Sequence, residues 1–341
     1  MRPTCALALA ATLAAVGATT LASPAAYAAD GQDKPGHETF AVIGDVPYGA
    51  AQIEAFPRWI DQINADPDVS TVFHVGDIKN GSTRCDDAYY RMIRTQFDRF
   101  TDPLVYTPGD NEWTDCHRAN NGSYNPLERL AFDRSVFFDR PGVTLGRKAT
   151  VTVPNAAFPE NVMLRRDGVT FGMLHVVGSN NDLAPWTGIG NTTATPEQVT
   201  EEQARMDASI ALVRKAFADA RQRNDRAVVL MQQADMFDPT YVPKESDISA
   251  FRPLVQALVD ETNAFDGEVY LVNGDSHIYN SDRPLAPGSV WLSRYGVTGS
   301  AAGLERITVD GSDNNKDWLK VTVNRPGADR VLSWERIPYA G

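Results

Sequence analysis

Basic residues are scarce in this chain. Lys and Arg number 32 against 44 Asp and Glu, for a formal net charge of −12 in 341 residues. That balance argues against a nucleic-acid-binding surface. There are three cysteines and five histidines in all. After residue 29 no run of about 18 uninterrupted apolar residues occurs, so no membrane span is expected beyond the N-terminus. Gly-x-Ser-x-Gly, His-Glu-x-x-His and the P-loop are all missing, which removes the usual serine hydrolase, zincin and nucleotide-binding signatures. Internal repeats and low-complexity linkers are missing too. What is present is an ordinary globular composition, 43% hydrophobic and 22% charged, too apolar for a disordered chain. An acidic protein of this kind can still hold phosphate compounds if metal ions supply local positive charge.

The N-terminus reads as a targeting segment. Arg2 is the only charge before Asp30, an Ala-rich stretch follows it, and Ala26-Tyr27-Ala28 has the small-x-small pattern of a cleavage site. Residues 1–28 are therefore expected to be a secretory signal peptide, carrying Cys5 away with them. The alternative is an uncleaved anchor, which the weak hydrophobicity of the stretch disfavours. The mature chain is expected to be secreted, periplasmic or extracellular, with a domain over residues 38–341 and His37 in its flexible lead. Cys85 and Cys116 remain. An even number in an oxidising compartment points to a disulfide, with two free thiols as the alternative.

Short apolar runs alternate with helical patterns. Phe40–Ile43, Ser70–Val75 and Pro103–Thr107 read as strands, separated by helices over about 51–64 and 88–100. Thr195-Pro196 opens a long helix with a capping box completed by Gln198. Ala227–Met231 and Glu268–Val272 are further strands, with a helix over 253–265 between them. Residues 148–177 look strand-like without helices, and everything after Ser289, including Val290-Trp-Leu, reads as β. The alternation predicts an α/β fold with parallel strands and crossover helices.

Four Gly-Asp pairs close four of these strands: Gly44-Asp45, Gly76-Asp77, Gly109-Asp110 and Gly274-Asp275. Ligands of open α/β sheets bind at the carboxyl ends of strands. Gly-Asp is also common turn chemistry, so one pair carries no weight. Four, with His277 close to the last, predict carboxylates whose mutual repulsion is relieved by divalent cations. A glycosidase could use paired carboxylates, but carboxylates at Gly turns on successive strands suit metals better.

These same residues resemble the successive motifs of the calcineurin-like metallophosphoesterases: Asp45, Gly76-Asp77, Gly109-Asp110-Asn111-Glu112 and Gly274-Asp275-Ser276-His277. The resemblance covers about residues 40–280 and is strongest to exported bacterial members. It implies a four-layer α/β sandwich with mixed sheets, a centre of two divalent metals, and hydrolysis of a phosphate mono- or diester by a metal-bound hydroxide. The motifs also depart from the family. Asp45-Val46-Pro47 lacks the usual His, as purple acid phosphatases do, but the Tyr that compensates in that branch is Asn80 here. Asp110 stands for the metal-binding Asn, Asn111 for the catalytic His, and Gln232-Gln233 for a lone His; the closing motif keeps only His277.

Replacing imidazoles by carboxylates and amides hardens the donor set and favours Mg, Mn, Ca or Fe over Zn. By the resemblance, Asp77 bridges the metals, Asp45 and His277 complete one site, and Asp110, Asp275 and Gln232 or Gln233 complete the other. Asn111 occupies the catalytic position but cannot act as an acid, so His117 is the candidate proton donor for the leaving group. Lys79, Arg84 and Arg118 are candidate ligands for the phosphate of a small substrate, with solvated loop charges as the alternative. Cys85 and Cys116, each shortly after a motif Asp, would clamp the rim. The rival reading is a non-catalytic or single-metal descendant acting as a secreted binding protein.

Overall fold

The structure, a computed structural model, describes Met1 and residues 38–340. The signal-peptide expectation, Cys5 and His37 lie outside the described residues. Two six-stranded sheets organise the chain. The first is built from β1 (Thr39–Ile43), β2 (Val69–His74), β3 (Pro103–Tyr106), β4 (Leu145–Gly146), β11 (Asp317–Val323) and β12 (Leu332–Pro338), in the order β12-β11-β1-β2-β3-β4. The second holds β5 (Val162–Arg166), β6 (Val169–Met173), β7 (Ala227–Gln232), β8 (Glu268–Asn273), β9 (Asn280–Asp282) and β10 (Leu304–Thr308), in the order β5-β6-β7-β8-β10-β9.

Both sheets are mixed. β1, β2 and β3 run parallel, flanked by antiparallel partners. β6, β7, β8 and β10 run parallel, again with antiparallel edges. The parallel strands are joined by helices, as the alternation predicts: Gly49–Ala65 and Asp87–Phe97 in the first half, Pro196–Arg223 and Arg252–Asn263 in the second. The long helix carries the expected Thr195–Gln198 capping box.

Apolar side chains sort these elements into four layers. Phe40 and Phe73 of the first sheet meet Phe171 of the second, with ring centroids 5.3 to 5.7 Å apart. Val229, Met231 and Val272 complete this inter-sheet core. Outside the first sheet Phe56, Ile60, Tyr90 and Phe97 pack helices onto its other face. Outside the second, Leu212, Phe217, Leu254 and Leu258 do the same. Strands buried on both faces read as unbroken apolar runs, which is why β1, β7 and β8 are plain in the sequence.

One expectation fails. Val290-Trp-Leu is not a strand but the start of a short helix, Val290–Tyr295, with Ser289 accepting from Trp291 N as its cap and Gly296 left-handed at its end. A bulky apolar run of this length does not distinguish the two, and the cap and Gly decide. The Pro126–Phe137 helix is not among the expected elements, although Asn125 caps it and Pro126 opens it.

Among the described residues no helix is long and apolar enough to cross a membrane. Cys85 and Cys116 are joined in a disulfide, their Cα atoms 5.8 Å apart. It ties the loop after β2 to the 3-10 turn Thr114–His117 that follows β3. Closing a loop over a sequence separation of 31 stabilises by roughly 3–4 kcal/mol. Replacing both cysteines by Ser should lower the unfolding free energy in denaturant by that order, and mass spectrometry after alkylation without reductant should show no label on Cys85 or Cys116. Two alkylatable thiols would refute the bond.

Candidate metal centre

The carboxyl ends of the parallel strands of both sheets open onto the same place. Asp45 follows β1, Asp77 follows β2, Asp110 follows β3, Gln233 follows β7, and Asp275 and His277 follow β8. Gly178, a few residues after β6, joins them. The turns are made by unusual means. Asp45, Asp77, Asp275 and His277 themselves adopt left-handed backbone, with φ of 52, 60, 73 and 62°. The glycines before Asp45, Asp110 and Asp275 do not. Their role is space: a Cβ on Gly109 would overlap the Asp77 carboxylate, and one on Gly274 would overlap that of Asp45. The Gly-Asp pairs are thus a close-packing device, with the strain carried by Asp, a residue that tolerates this region.

Two donor sets result. Asp45, Asp77 and His277 offer ligand atoms within 4.8 Å of one another, and so do Asp77, Asp110 and Asp275. Asp77 belongs to both. His277 Nε2 lies 3.3 Å from Asp45 Oδ1. The Asp275 backbone N–H donates to Asp45 (3.2 and 3.1 Å) and that of Asp235 to Asp275 Oδ2 (3.2 Å). Burial, followed by the charges of Asp110, Glu112, Asp45 and Asp275, holds the Asp77 carboxyl well above the usual carboxylate range. Burial and the neighbouring aspartates do the same to Asp275. Burial opposes charge on His277, but Asp45 outweighs it and raises the imidazole above its ordinary value. Buried carboxylates in this state are held apart from full ionisation by one another, and a divalent cation is what restores it. Two sets of hard oxygens, one with an added imidazole, fit such cations.

Neutral donors complete the centre. Asn111 donates its backbone N–H to Asp77 Oδ1 (3.1 Å) and its amide to Asp77 Oδ2 (2.7 Å). Tyr48 donates its hydroxyl to Asp77 Oδ2 (2.8 Å) and accepts from the Asn111 amide (2.9 Å). Gln233 is fully buried, and its Nε2 lies 3.3 Å from Asp77 Oδ2 and 3.2 Å from Asp110 Oδ1. Gln232 is elsewhere: its amide donates to Ala234 O. Side chains alternate along a strand, so only one of two adjacent glutamines can face the centre.

The other expected residues divide. Arg118 borders the centre: it pairs with Asp115 at 2.6 Å, and its guanidinium and Asn111 Oδ1 both lie against Gly81. Arg84 does not; it is exposed and paired with Asp86 at 3.1 Å. Lys79 is fully buried, its ammonium donating to Asn80 O, and burial lowers it to about 8. It is therefore no solvent-facing phosphate ligand. His117 faces the Thr187–Ile189 turn, its Nδ1 accepting from Gly188 N at 3.1 Å. Burial and Arg118 lower it to about 4. Its Nδ1 is thus committed to Gly188, and burial disfavours the protonated form that a proton donor needs. His74 and His175 are structural, bound to Val46 O and Glu160.

Three participants carry weaker signals or none. Tyr48 escapes a sequence reading because nothing local marks a residue three after Asp45 as reaching the next strand's Asp. Glu112 accepts from Ile78 N, Gly109 N and Tyr106, tying the Asp77 and Asp110 loops together. The third is the stretch Ser179-Asn180-Asn181-Asp182, four consecutive left-handed residues with φ of 52, 53, 54 and 74°. Such backbone costs about 1–2 kcal/mol per residue. Arg205, fully buried, offsets it by donating to Asn181 Oδ1 (2.5 Å), Asn181 O (2.9 Å) and His175 O (3.2 Å). The turn sets Ser179 Oγ 3.0 Å from both Asp110 and Asp115. The signal is the composition, since Asn and Asp tolerate this region best. Beyond Asp235 the chain leaves the centre in a segment with exposed Tyr241 and Val242.

The family model for calcineurin-like phosphoesterases matches residues 38–170. No curated protein sequence matches the chain. Among solved structures, purple acid phosphatase PPD1 from yellow lupin (Lupinus luteus) seeds is 14% identical with a TM-score of 0.44, over 88% of this chain and 52% of that one. The 5'-nucleotidase precursor of Thermus thermophilus is 11% identical with a TM-score of 0.42, over 89% and 54%. GAP50, the anchor in the inner membrane complex of Plasmodium, is 10% identical with a TM-score of 0.40, over 89% and 90%. The chain thus spans about half the length of the phosphatase and the nucleotidase.

A hydroxyl has one hydrogen, so Asp110 and Asp115 cannot both accept from Ser179 while both are ionised. Burial, then Asp110, raises Asp115 to about 7. A carboxyl raised in the folded state stabilises fully below its unfolded value, about 3.9, and that contribution is lost as pH rises through the folded one. In chelated protein, Asp115→Asn should therefore gain in melting temperature relative to the parent from pH 5 to pH 8. A difference that stays constant with pH would show the carboxyl is not displaced.

Proposed function

We propose that the protein is an exported, divalent-cation-dependent phosphoesterase acting on a small phosphate mono- or diester. The observation that carries this is the pair of donor sets sharing one buried aspartate, Asp77. The family match over residues 38–170 supports it, and the Cys85–Cys116 bond supports export. Asp45, Asp77 and His277 would hold one cation, and Asp77, Asp110 and Asp275 a second, with Mg, Mn, Ca or Fe favoured over Zn. Bound there, the cations supply an acidified water and positive charge against the phosphoryl oxygens.

The chain's own residues fix the rest. Asn111 and Tyr48 hold Asp77 Oδ2, and the Asn111 backbone N–H holds Oδ1, so the shared carboxylate is fixed in place. Asp275 N–H does the same for Asp45. Arg118, half-exposed and fixed by Asp115, is placed to take a phosphate oxygen or carboxylate of the substrate. The two residues expected near the leaving group are poor proton donors: Asn111 has only amide hydrogens and His117 accepts from Gly188 N. Good leaving groups should therefore react much faster than alkoxides. The same lack favours, as a second reading, a binding protein that no longer turns substrate over.

Turnover of mono- and bis-nitrophenyl phosphate should require Mn or Mg, vanish with chelator, and fall at least about a thousandfold, roughly 4 kcal/mol of barrier, in Asp77→Asn. Absence of turnover in protein with bound cation would establish the binding reading. His117→Ala should leave the ratio of rates on good and poor leaving groups unchanged; a selective loss on poor ones would restore it as the acid.

A further inference from the structure

Resting on the phosphoesterase reading, the orientation of one buried amide makes the two cation sites unequal. The Gly178 backbone N–H donates to Gln233 Oε1 at 2.7 Å. A backbone N–H can only donate, so that atom is the oxygen and the amide nitrogen must point the other way. There it meets Asp77 Oδ2 and Asp110 Oδ1 at 3.3 and 3.2 Å. The two amide hydrogens thus lie among the carboxylates of the Asp77–Asp110–Asp275 set, where a cation would need an oxygen or an open space.

The side chain is also held along its length. A Cβ on Gly76 would sit 2.7 Å from Gln233 Cβ and 2.8 Å from Cγ, and Gln233 O accepts from Gly274 N at 3.1 Å. Gly178 itself roofs the site, since a Cβ there would lie 2.6 Å from Asp110 Oδ2 and 3.1 Å from Asp275 Oδ2. Turning the amide over would set its NH2 against the Gly178 N–H and its oxygen against two carboxylates. Donors also reach the Asp45–Asp77–His277 set: Tyr48 lies 2.8 Å from Asp77 Oδ2 and 3.5 Å from Asp45 Oδ1, and His277 Nε2 3.3 Å from Asp45 Oδ1. But a hydroxyl can turn its hydrogen away and an imidazole can present a lone pair to a cation, whereas the amide NH2 pinned by Gly178 can do neither.

We infer that the Asp45–Asp77–His277 set is the tight cation site, and that the Gln233 amide stands in for a cation in the Asp77–Asp110–Asp275 set, which a second ion enters only by displacing or turning that amide. The protein is then a one-cation protein at low metal concentration and a two-cation protein at high concentration, with Gln233 setting the gap.

The test is a titration of chelator-stripped full-length protein with Mn(II), counting bound ions by equilibrium dialysis and free Mn(II) by electron paramagnetic resonance. The parent should bind one ion with a dissociation constant at least about tenfold below that of the second, roughly 1.4 kcal/mol. Gln233→Glu keeps an oxygen for Gly178 and turns another toward the site, so the second constant should tighten by about tenfold or more, with melting curves confirming the fold. Gln233→Ala removes the amide hydrogens and should tighten it as well, which covers a Glu variant that does not fold. Two equal constants in the parent, or a second constant unmoved in the folded variants, would overturn the inference. A parent that binds no ion at all would instead overturn the phosphoesterase reading beneath it.

Discussion

Repulsion between buried carboxylates is the constraint around which the site end of this protein is arranged. Asp45, Asp77, Asp110 and Asp275 come from four strands in two sheets, and each is brought nearer to the others than unpaired acids tolerate. A set of neutral donors close by answers that repulsion. Backbone N–H groups of Asn111 and Asp275, the amides of Asn111 and Gln233, and the Tyr48 hydroxyl all donate into it. The inter-sheet core of Phe40, Phe73 and Phe171 matters to the chemistry because it holds the two sheets, and so the two halves of the centre, in register.

Much of this is legible in the chain. Strands buried on both faces announce themselves as apolar runs, and each Gly-Asp marks the end of one. The aspartates and His277 stand out because a residue type that is costly to bury recurs at equivalent places in the fold. What is illegible depends on partners distant in sequence. Which of Gln232 and Gln233 faces the centre is a matter of strand parity, and a shift of one residue reverses it. Tyr48 requires knowing that the chain after Asp45 folds back over the second strand. His117 looks suitable from its spacing to Asp110, yet the turn at Gly188 claims its ring.

The glycines teach a similar lesson. Reading them as flexible turn residues is natural, and three of the four are not used that way. They are small because a carboxylate or side chain from another strand lies against them. The left-handed backbone falls instead on the acids, and again on Ser179 to Asp182, where a buried guanidinium from the long helix keeps four unfavourable residues in place. Strain of this kind persists only where surroundings over-determine it, and here it is concentrated beside the carboxylates.

The Cys85–Cys116 cross-link gives the mouth of the centre an uneven stiffness. It welds the walls bearing Asp77 and Asp110 into one jaw that cannot widen. The segment after Asp235, with Tyr241 and Val242 bare to solvent, holds no cysteine. Any change in the spacing of those two walls has to work against a covalent tether, while the Tyr241–Val242 side carries none.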